Sequence, residues 1–261
     1  MRPTADRERF RPTPGRSREA MESLQRDIAD SALFADDLSF DPTRVGTREG
    51  PLVAGVDQAF LTDSDPERAV SAIVVCRGDS VVERSFAVSP VEIPYVPGLL
   101  AFREGGPILD AFAELETAPA LALFDGSGRI HFREAGLATH VGVTLDLPSV
   151  GVAKSLLCGS PERDVSALSA GERVAIRADD RMPSTAPDET VGYAYQSRQY
   201  PDSRRINPLY VSPGHRVSAE TAVDLVAQCG GEYKLPEPTR LADAYADEVK
   251  HSVGRQSGDA G

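Results

Sequence analysis

Two aspartates close apolar runs: Asp57 follows Val53-Ala54-Gly55-Val56, and Asp125 follows Leu121-Ala122-Leu123-Phe124. A carboxylate at the mouth of a buried strand is costly to desolvate unless something positive meets it. Two together offer the oxygen ligands that a hard divalent cation prefers. Such a cation can activate water and neutralise charge on a phosphate under attack. Taken singly, each Asp suits the start of a turn, Asp125-Gly126 above all. As a pair, the turn and metal readings weigh about equally.

Other residues carry compatible chemistry, each with an ordinary explanation beside it. Glu104, in Leu99-Leu100-Ala101-Phe102-Arg103-Glu104, reads by itself as a solvent-facing helix residue. His215, before a helix, could move a proton or orient water, although a loop histidine is more often simply solvated. Lys154 follows the run Gly151-Val152-Ala153; it could meet a phosphate or simply end a strand with its ammonium in water. Tyr95, held between Pro94 and Pro97 with Val96 beside it, could enter a base stack and open it. The alternative is a tyrosine capping the core.

The elements that must position these residues follow from periodicity. Met21, Leu24, Ile28 and Ala32 recur at helical spacing, which predicts a helix over 17–33. Strands are expected at 52–60, 69–76 and 81–88, the last two joined by the turn Arg77-Gly78-Asp79-Ser80. A helix over 99–116, disturbed by Gly105-Gly106-Pro107, precedes a buried strand at 120–124. A helix over 137–144 and a strand at 149–153 come next, and that alternation implies parallel pairing through crossovers. Residues 159–188 read as a charged surface insertion. Strands at 192–196 and 209–212 and helices over 219–228 and 239–249 complete the chain. A three-strand antiparallel meander followed by β-α-β units is the order of a ribonuclease H-like α/β sheet. In that topology the first and fourth strands are neighbours, so Asp57 and Asp125 come together.

The ends are polar. Residues 1–16 and 251–261 are expected to be disordered, leaving one domain over 17–250. No apolar run reaches the length of a bilayer span and the N-terminus lacks a secretory pattern, so a cytoplasmic monomer without membrane association is expected. Cys76, Cys158 and Cys229 are odd in number and far apart, fitting neither a disulfide framework nor a zinc cluster. The net charge is −12, and only three of the 28 basic residues are lysine (Lys154, Lys234, Lys250). That balance suggests a protein adapted to concentrated salt, where self-repulsion is screened. A GC-rich genome would also favour arginine.

The segments Gly-Val-Asp at 55–57, Pro-Tyr-Val-Pro-Gly-Leu-Leu-Ala-Phe-Arg-Glu at 94–104, Asp-Gly-Ser-Gly at 125–128 and Gly-Leu-Ala-Thr-His-Val-Gly at 136–142 are followed by Gly-Val-Ala-Lys-Ser at 151–155, Ser-Pro-Gly-His-Arg-Val-Ser at 212–218 and Leu-Pro-Glu-Pro-Thr-Arg-Leu-Ala-Asp at 235–243. In order and spacing, over about residues 17–250, the chain resembles endonuclease V. The resemblance implies a ribonuclease H-like fold and a Mg²⁺-dependent cut, with Mn²⁺ as a substitute, at the second phosphodiester 3′ of a deaminated base such as hypoxanthine. It implies Asp57, Glu104 and Asp125 as the acidic metal site, with His215 and Lys154 as further catalytic residues. Pro94, Tyr95, Val96 and Pro97 match the wedge that fills the gap left by an extruded base. Gly98, Leu100, Gly126, Gly136 and Leu137 match the base pocket. The partner implied is damaged DNA, with inosine-containing RNA as the alternative; a catalytically silent nucleic-acid binder is a further rival that the carboxylate set argues against. Two positions depart from many members of the family: Ser127 stands where His is common, and His131-Phe132-Arg133 where His-Pro-Arg is.

Overall fold

The computed structural model describes residues 1–258, apart from Asp63, Asp202 and Arg204. Strand β1 (Val53–Leu61) pairs antiparallel with β2 (Arg68–Arg77), which pairs antiparallel with β3 (Ser80–Pro90). On its other side β1 runs parallel to β4 (Leu121–Phe124), and β4 parallel to β5 (Ser149–Ala153). Four further strands extend the sheet: β6 (Ser160–Pro161), β7 (Arg173–Arg177), β8 (Thr190–Tyr195) and β9 (Leu209–His215). The order is β3-β2-β1-β4-β5-β9-β8-β7-β6, nine strands in one mixed sheet. The meander and the parallel β1–β4 pair are those expected of a ribonuclease H-like sheet.

Among the described residues five α-helices cover its faces: α1 (Arg18–Ser31), α2 (Leu100–Ala113), α3 (Leu137–Leu145), α4 (Ala219–Gln228) and α5 (Glu237–Gly258). Alternation along the strands sorts their side chains between layers. Ala54, Val56, Ala122 and Phe124 meet Ile108, Phe112 and Val141 of α2 and α3. Val53, Leu121, Leu123, Val150 and Val152 face the other way, onto Val223, Leu225 and Val226 of α4. Helix α5 lies on that second side against β1 and β2, where Ala59 and Ala72 meet Ala246. Among the described residues no helix is long and apolar enough to cross a membrane.

Composition misread four segments. The Arg/Pro/Thr-rich start is not loose chain: Phe10 is 2% exposed and packs with Met21, Leu24, Ile28, Leu99 and Phe102. A single aromatic anchor thus holds a polar segment, and Arg7 pairs with Asp146 at 2.8 Å. The stretch 159–188 contributes β6 and β7, with Ile176, Met182 and Cys158 in a small core of their own. Arg173 and Arg177 bracket the three apolar residues of β7 and hide its strand signal. Helix α2 passes unbroken through Gly105-Gly106-Pro107. Burial of Ile108, Leu109 and Phe112 outweighs the roughly 3 kcal/mol that an interior proline costs. Helix α5 continues to Gly258 rather than stopping near Val249, so part of the tail expected to be disordered is helical; residues 259–261 lie outside those described.

Candidate active site

The parallel register that pairs Val56 with Phe124 makes the next residues, Asp57 and Asp125, neighbours at one end of the sheet. The Asp125 N–H still donates to the Val56 carbonyl at 3.1 Å, so the ladder holds through the site. Both aspartates point to the α5 side. Gly55 lets that helix come close: a Cβ there would lie 2.0 Å from the Pro238 carbonyl. The approach brings Asp243 of α5 to the pair, and one carboxylate oxygen from each of Asp57, Asp125 and Asp243 lies within 4.8 Å of the others. That spread is comparable to the about 4–5 Å across an ion with oxygen ligands at 2.0–2.6 Å.

The electrostatics are those of a site built for a cation. Burial, and then the charge of Asp125, push the Asp57 carboxyl up to about 8, although its Oδ1 accepts a hydrogen bond from the Gln58 N–H at 2.8 Å. Glu104 on α2 is pushed up to about 7, chiefly by burial, with Asp125 adding to it. Helix α2 is fastened to β1 here, since Gln58 Nε2 donates to the Glu104 carbonyl at 3.1 Å. Lys154 Nζ donates to Asp125 Oδ2 at 2.5 Å. Burial works against the ammonium, but the Asp125 hydrogen bond and the charges of Asp125, Asp57 and Asp243 hold its pKa above the ordinary value. Carboxylates crowded in this way, most of them half-buried, favour a positive partner, and all-oxygen donors suit a hard divalent metal. The residues present fit such an ion.

Asp57, Asp125 and Lys154 therefore converge; Glu104 lies close enough for the Asp125 charge to reach it but outside the group of three carboxylates, where Asp243 stands instead, and His215 does not converge. It ends β9 opposite Ser149, the first residue of β5, whereas Asp125 follows Phe124, which pairs with Gly151. That places it roughly 10 Å back along the sheet from the level of Asp125. Its ring is 3% exposed and fully engaged: Nδ1 accepts from the Leu33 N–H at 3.1 Å and Nε2 meets Asp146 Oδ1 at 3.1 Å. His215 is a structural tie between β9, α3's end and the chain after α1. The residue that sequence reasoning passed over is Asp243, an exposed position on an amphipathic helix that looks like any solvated Asp. Its only sequence signal is its place at the end of Leu-Pro-Glu-Pro-Thr-Arg-Leu-Ala-Asp.

Beside the carboxylates opens a pocket of about 300 Å³ whose lining includes Asp125 and Lys154. Gly98, Leu100, Gly126, Gly136 and Leu137 all contribute to it, and Tyr95 stands at its edge. The loop carrying Tyr95 is clamped at both ends. At one, Arg103 donates to the Ile93 carbonyl at 3.2 Å while pairing with Glu67 at 2.8 Å. At the other, the Gly98 carbonyl receives Gln25 Nε2 at 2.9 Å, His131 Nε2 at 3.0 Å and Arg133 Nη2 at 3.3 Å. His131 Nδ1 accepts from the Arg133 N–H, so Nε2 carries the proton. Burial, followed by the Arg133 charge, pushes the His131 pKa down to about 4 and keeps the ring neutral. Gly98 has φ +79°, and Phe132 packs where its side chain would be, 3.2 Å from an added Cβ. Between the clamps Tyr95 is 66% exposed, with Pro94 and Pro97 also exposed and Val96 half-buried. Gln25, on α1 and fully buried, is a second residue that sequence reasoning missed.

Comparison with known proteins gives the chain relatives in both sequence and fold. The chain is 65% identical over 248 residues to the endonuclease V of the halophilic archaeon Natronomonas pharaonis, covering 94% of this chain and 97% of that one. The endonuclease V structure from Streptomyces avermitilis superimposes with TM-score 0.75 at 32% identity, over 91% of this chain and 95% of that one. The Ciona intestinalis enzyme, solved with a 24mer DNA containing an inosine followed by a ribo-adenosine, superimposes with TM-score 0.71 at 25% identity, over 88% and 96%. A family model described as Endonuclease V matches residues 40–244, the span from the connector before β1 to just past Asp243, and the chain belongs to that family.

Proposed function

We propose that this chain hydrolyses DNA at the second phosphodiester 3′ of a deaminated base, with hypoxanthine held in the 300 Å³ pocket. The observation that carries the reading is that Asp125 and Lys154 belong both to the pocket lining and to the charged cluster. A base seated in the pocket thereby brings its own backbone to the carboxylates.

Asp57, Asp125 and Asp243 would hold a Mg²⁺ ion, which Mn²⁺ could replace; when bound, it supplies charge neutralisation at the phosphate and a more acidic water. The remaining work belongs to the chain. Lys154, kept an ammonium by Asp125, offers a fixed positive charge to a phosphate oxygen. Glu104, buried beside Asp125, can accept the proton that water loses as it attacks phosphorus. Tyr95 fills the stack that the flipped base leaves, and the clamps at Ile93 and Gly98 hold it there. The small residues Gly98, Gly126 and Gly136 let backbone groups approach the base edge. All of these residues lie in one chain, so a monomer suffices.

Matched duplexes with one deoxyinosine or one deoxyadenosine test this reading, with Mg²⁺ present or chelated. Metal-dependent cutting of the deoxyinosine strand alone, at the second bond, is expected; equal cutting of both duplexes contradicts it. The Ciona relative's substrate carried a ribo-adenosine after the inosine, so the same assay on inosine RNA tests a second reading, cleavage of RNA.

A further inference from the structure

Lys154 borders a second depression, of about 460 Å³, and among the described residues is the only one this depression shares with the lesion pocket. Its walls carry Tyr200, Arg205, Tyr233, Lys234 and Arg240 as well. The composition makes this unusual: in a chain of net charge −12 with three lysines, two of the three line one groove. Lys234 is half-buried, and its ammonium is disfavoured first by that burial and then by the positive charges of Arg205 and Lys154. Among the described residues no carboxylate pairs with Lys234 or Arg205, whereas Arg240 is matched by Glu237. Cations crowded without anions raise the energy of the free protein, and an anionic ligand relieves it.

The same groove exposes aromatic rings. Tyr233 is 52% and Tyr200 44% exposed. The Arg240 guanidinium lies over the Tyr233 ring at 4.7 Å from its centroid, and Arg198 over Tyr200 at 5.5 Å. Uncompensated cations beside exposed tyrosines form the surface that a nucleic-acid strand takes, phosphates on the charges and bases on the rings. We propose that this groove binds the DNA strand on the 3′ side of the cut, with phosphates at Lys234 and Arg205 and a base stacked on Tyr233. The polarity rests on the function proposed above: the lesion occupies one side of Lys154 and the cut lies 3′ of the lesion. A strand that runs from the pocket past Lys154 enters the groove with its 3′ portion. Helix α5 ties the groove to the chemistry, because Arg240 and Asp243 lie one turn apart on its same side.

Single strands carrying one deoxyinosine and a constant 5′ flank, with two or ten nucleotides 3′ of the lesion, test the groove. Their dissociation constants are measured with Ca²⁺ replacing Mg²⁺, so that binding is read without turnover. The wild-type chain is expected to favour the longer 3′ flank, and Tyr233→Ala to reduce that long-to-short ratio about ten-fold, the scale of one stacked base. Lys234→Ala should lower the salt slope on the long strand by about 0.7, the value of one phosphate contact. Both side chains reach solvent, and circular dichroism verifies that the variants are folded. Variants that keep the wild-type ratio and slope overturn the proposal, as do variants that lose affinity equally when the 5′ flank is lengthened instead. A wild-type chain that prefers deoxyinosine over deoxyadenosine strands but shows no 3′-flank ratio overturns the groove alone. Absence of any deoxyinosine preference overturns the lesion reading and the polarity with it.

Discussion

Replacing Gln25 with leucine removes the buried amide that joins α1 to the loop bearing Tyr95. The side chain is fully buried; its Nε2 donates to the Gly98 carbonyl at 2.9 Å and its Oε1 accepts from Arg133 Nε at 2.7 Å. The second bond involves a charged donor and contributes about 1.5–3 kcal/mol, the first about 1 kcal/mol. Leucine fills similar space, so a cavity adds little. The loss is then about 2.5–4 kcal/mol, or a fall in Tm of roughly 5–15 °C for a chain of this size. The Gly98 carbonyl keeps His131 and Arg133 as donors, so the loop should shift rather than melt. A shift on the order of 1 Å in a positioning element can cost about 100-fold in rate. Thermal melts and single-turnover cleavage of a deoxyinosine duplex, run well below the lowered Tm, separate the two effects. Gln25→Glu sharpens the test, because it keeps an acceptor for Arg133 but removes the donor to Gly98. Both variants should cut slowly. Wild-type cleavage by Gln25→Leu despite a lower Tm would refute the idea that this amide positions the loop.

Tyr95→Ala should weaken binding of a deoxyinosine duplex by about 1–3 kcal/mol, and of the corresponding single strand by less, because a single strand needs less opening; equal losses in a binding titration would make Tyr95 a folding residue instead. Cleavage should hold or rise between roughly 0.2 and 3 M KCl, since screening of the acidic surface offsets weaker phosphate binding and stacking survives salt; a steep fall with unchanged circular dichroism would contradict this. His131 and His140 are buried with pKa values pushed down to about 4. Groups whose folded pKa is depressed contribute stability that is fully present above about 6.5 and lost as pH falls from there towards 4. Asp57 and Glu104, whose pKa values are raised, work the other way over the same range, so in an Asp57→Asn, Glu104→Gln background Tm should drop between pH 7 and pH 4.5, and a flat profile there would show that both rings titrate freely.

What was legible in the sequence was whatever depended on local pattern. The apolar runs ending in Asp57 and Asp125 announce strands, and the meander followed by β-α-β order makes those strands neighbours. Features that depend on distant packing were hidden. Asp243 reaches the two strand-end aspartates only because Gly55, 188 residues earlier in the chain, admits α5 to the sheet, and no window of sequence joins the two. His215 misled for the converse reason: it precedes a helix and follows Pro-Gly, which reads as a loop. The strand β9 in fact runs on through Pro213 and Gly214 and carries the ring to the far end of β5. Gln25 gave no signal, because a glutamine on a helix is ordinarily solvated and only the tertiary fold buries it.

Three carboxylates, Asp57 of β1, Asp125 just after β4 and Asp243 of α5, meet at one end of the sheet, and the proposed function has them carry out the cut. Single-turnover cleavage of a deoxyinosine duplex in Mg²⁺ by Asp243→Asn and His215→Gln, with folding verified by circular dichroism, decides whether they do. Asp243→Asn is expected to lose at least about 100-fold in rate, the scale of a lost electrostatic contributor to catalysis, with its fold intact. His215→Gln is predicted to lower Tm while cutting at close to the wild-type rate. Near-normal cleavage by Asp243→Asn, or loss of cleavage by a well-folded His215→Gln, would contradict that reading.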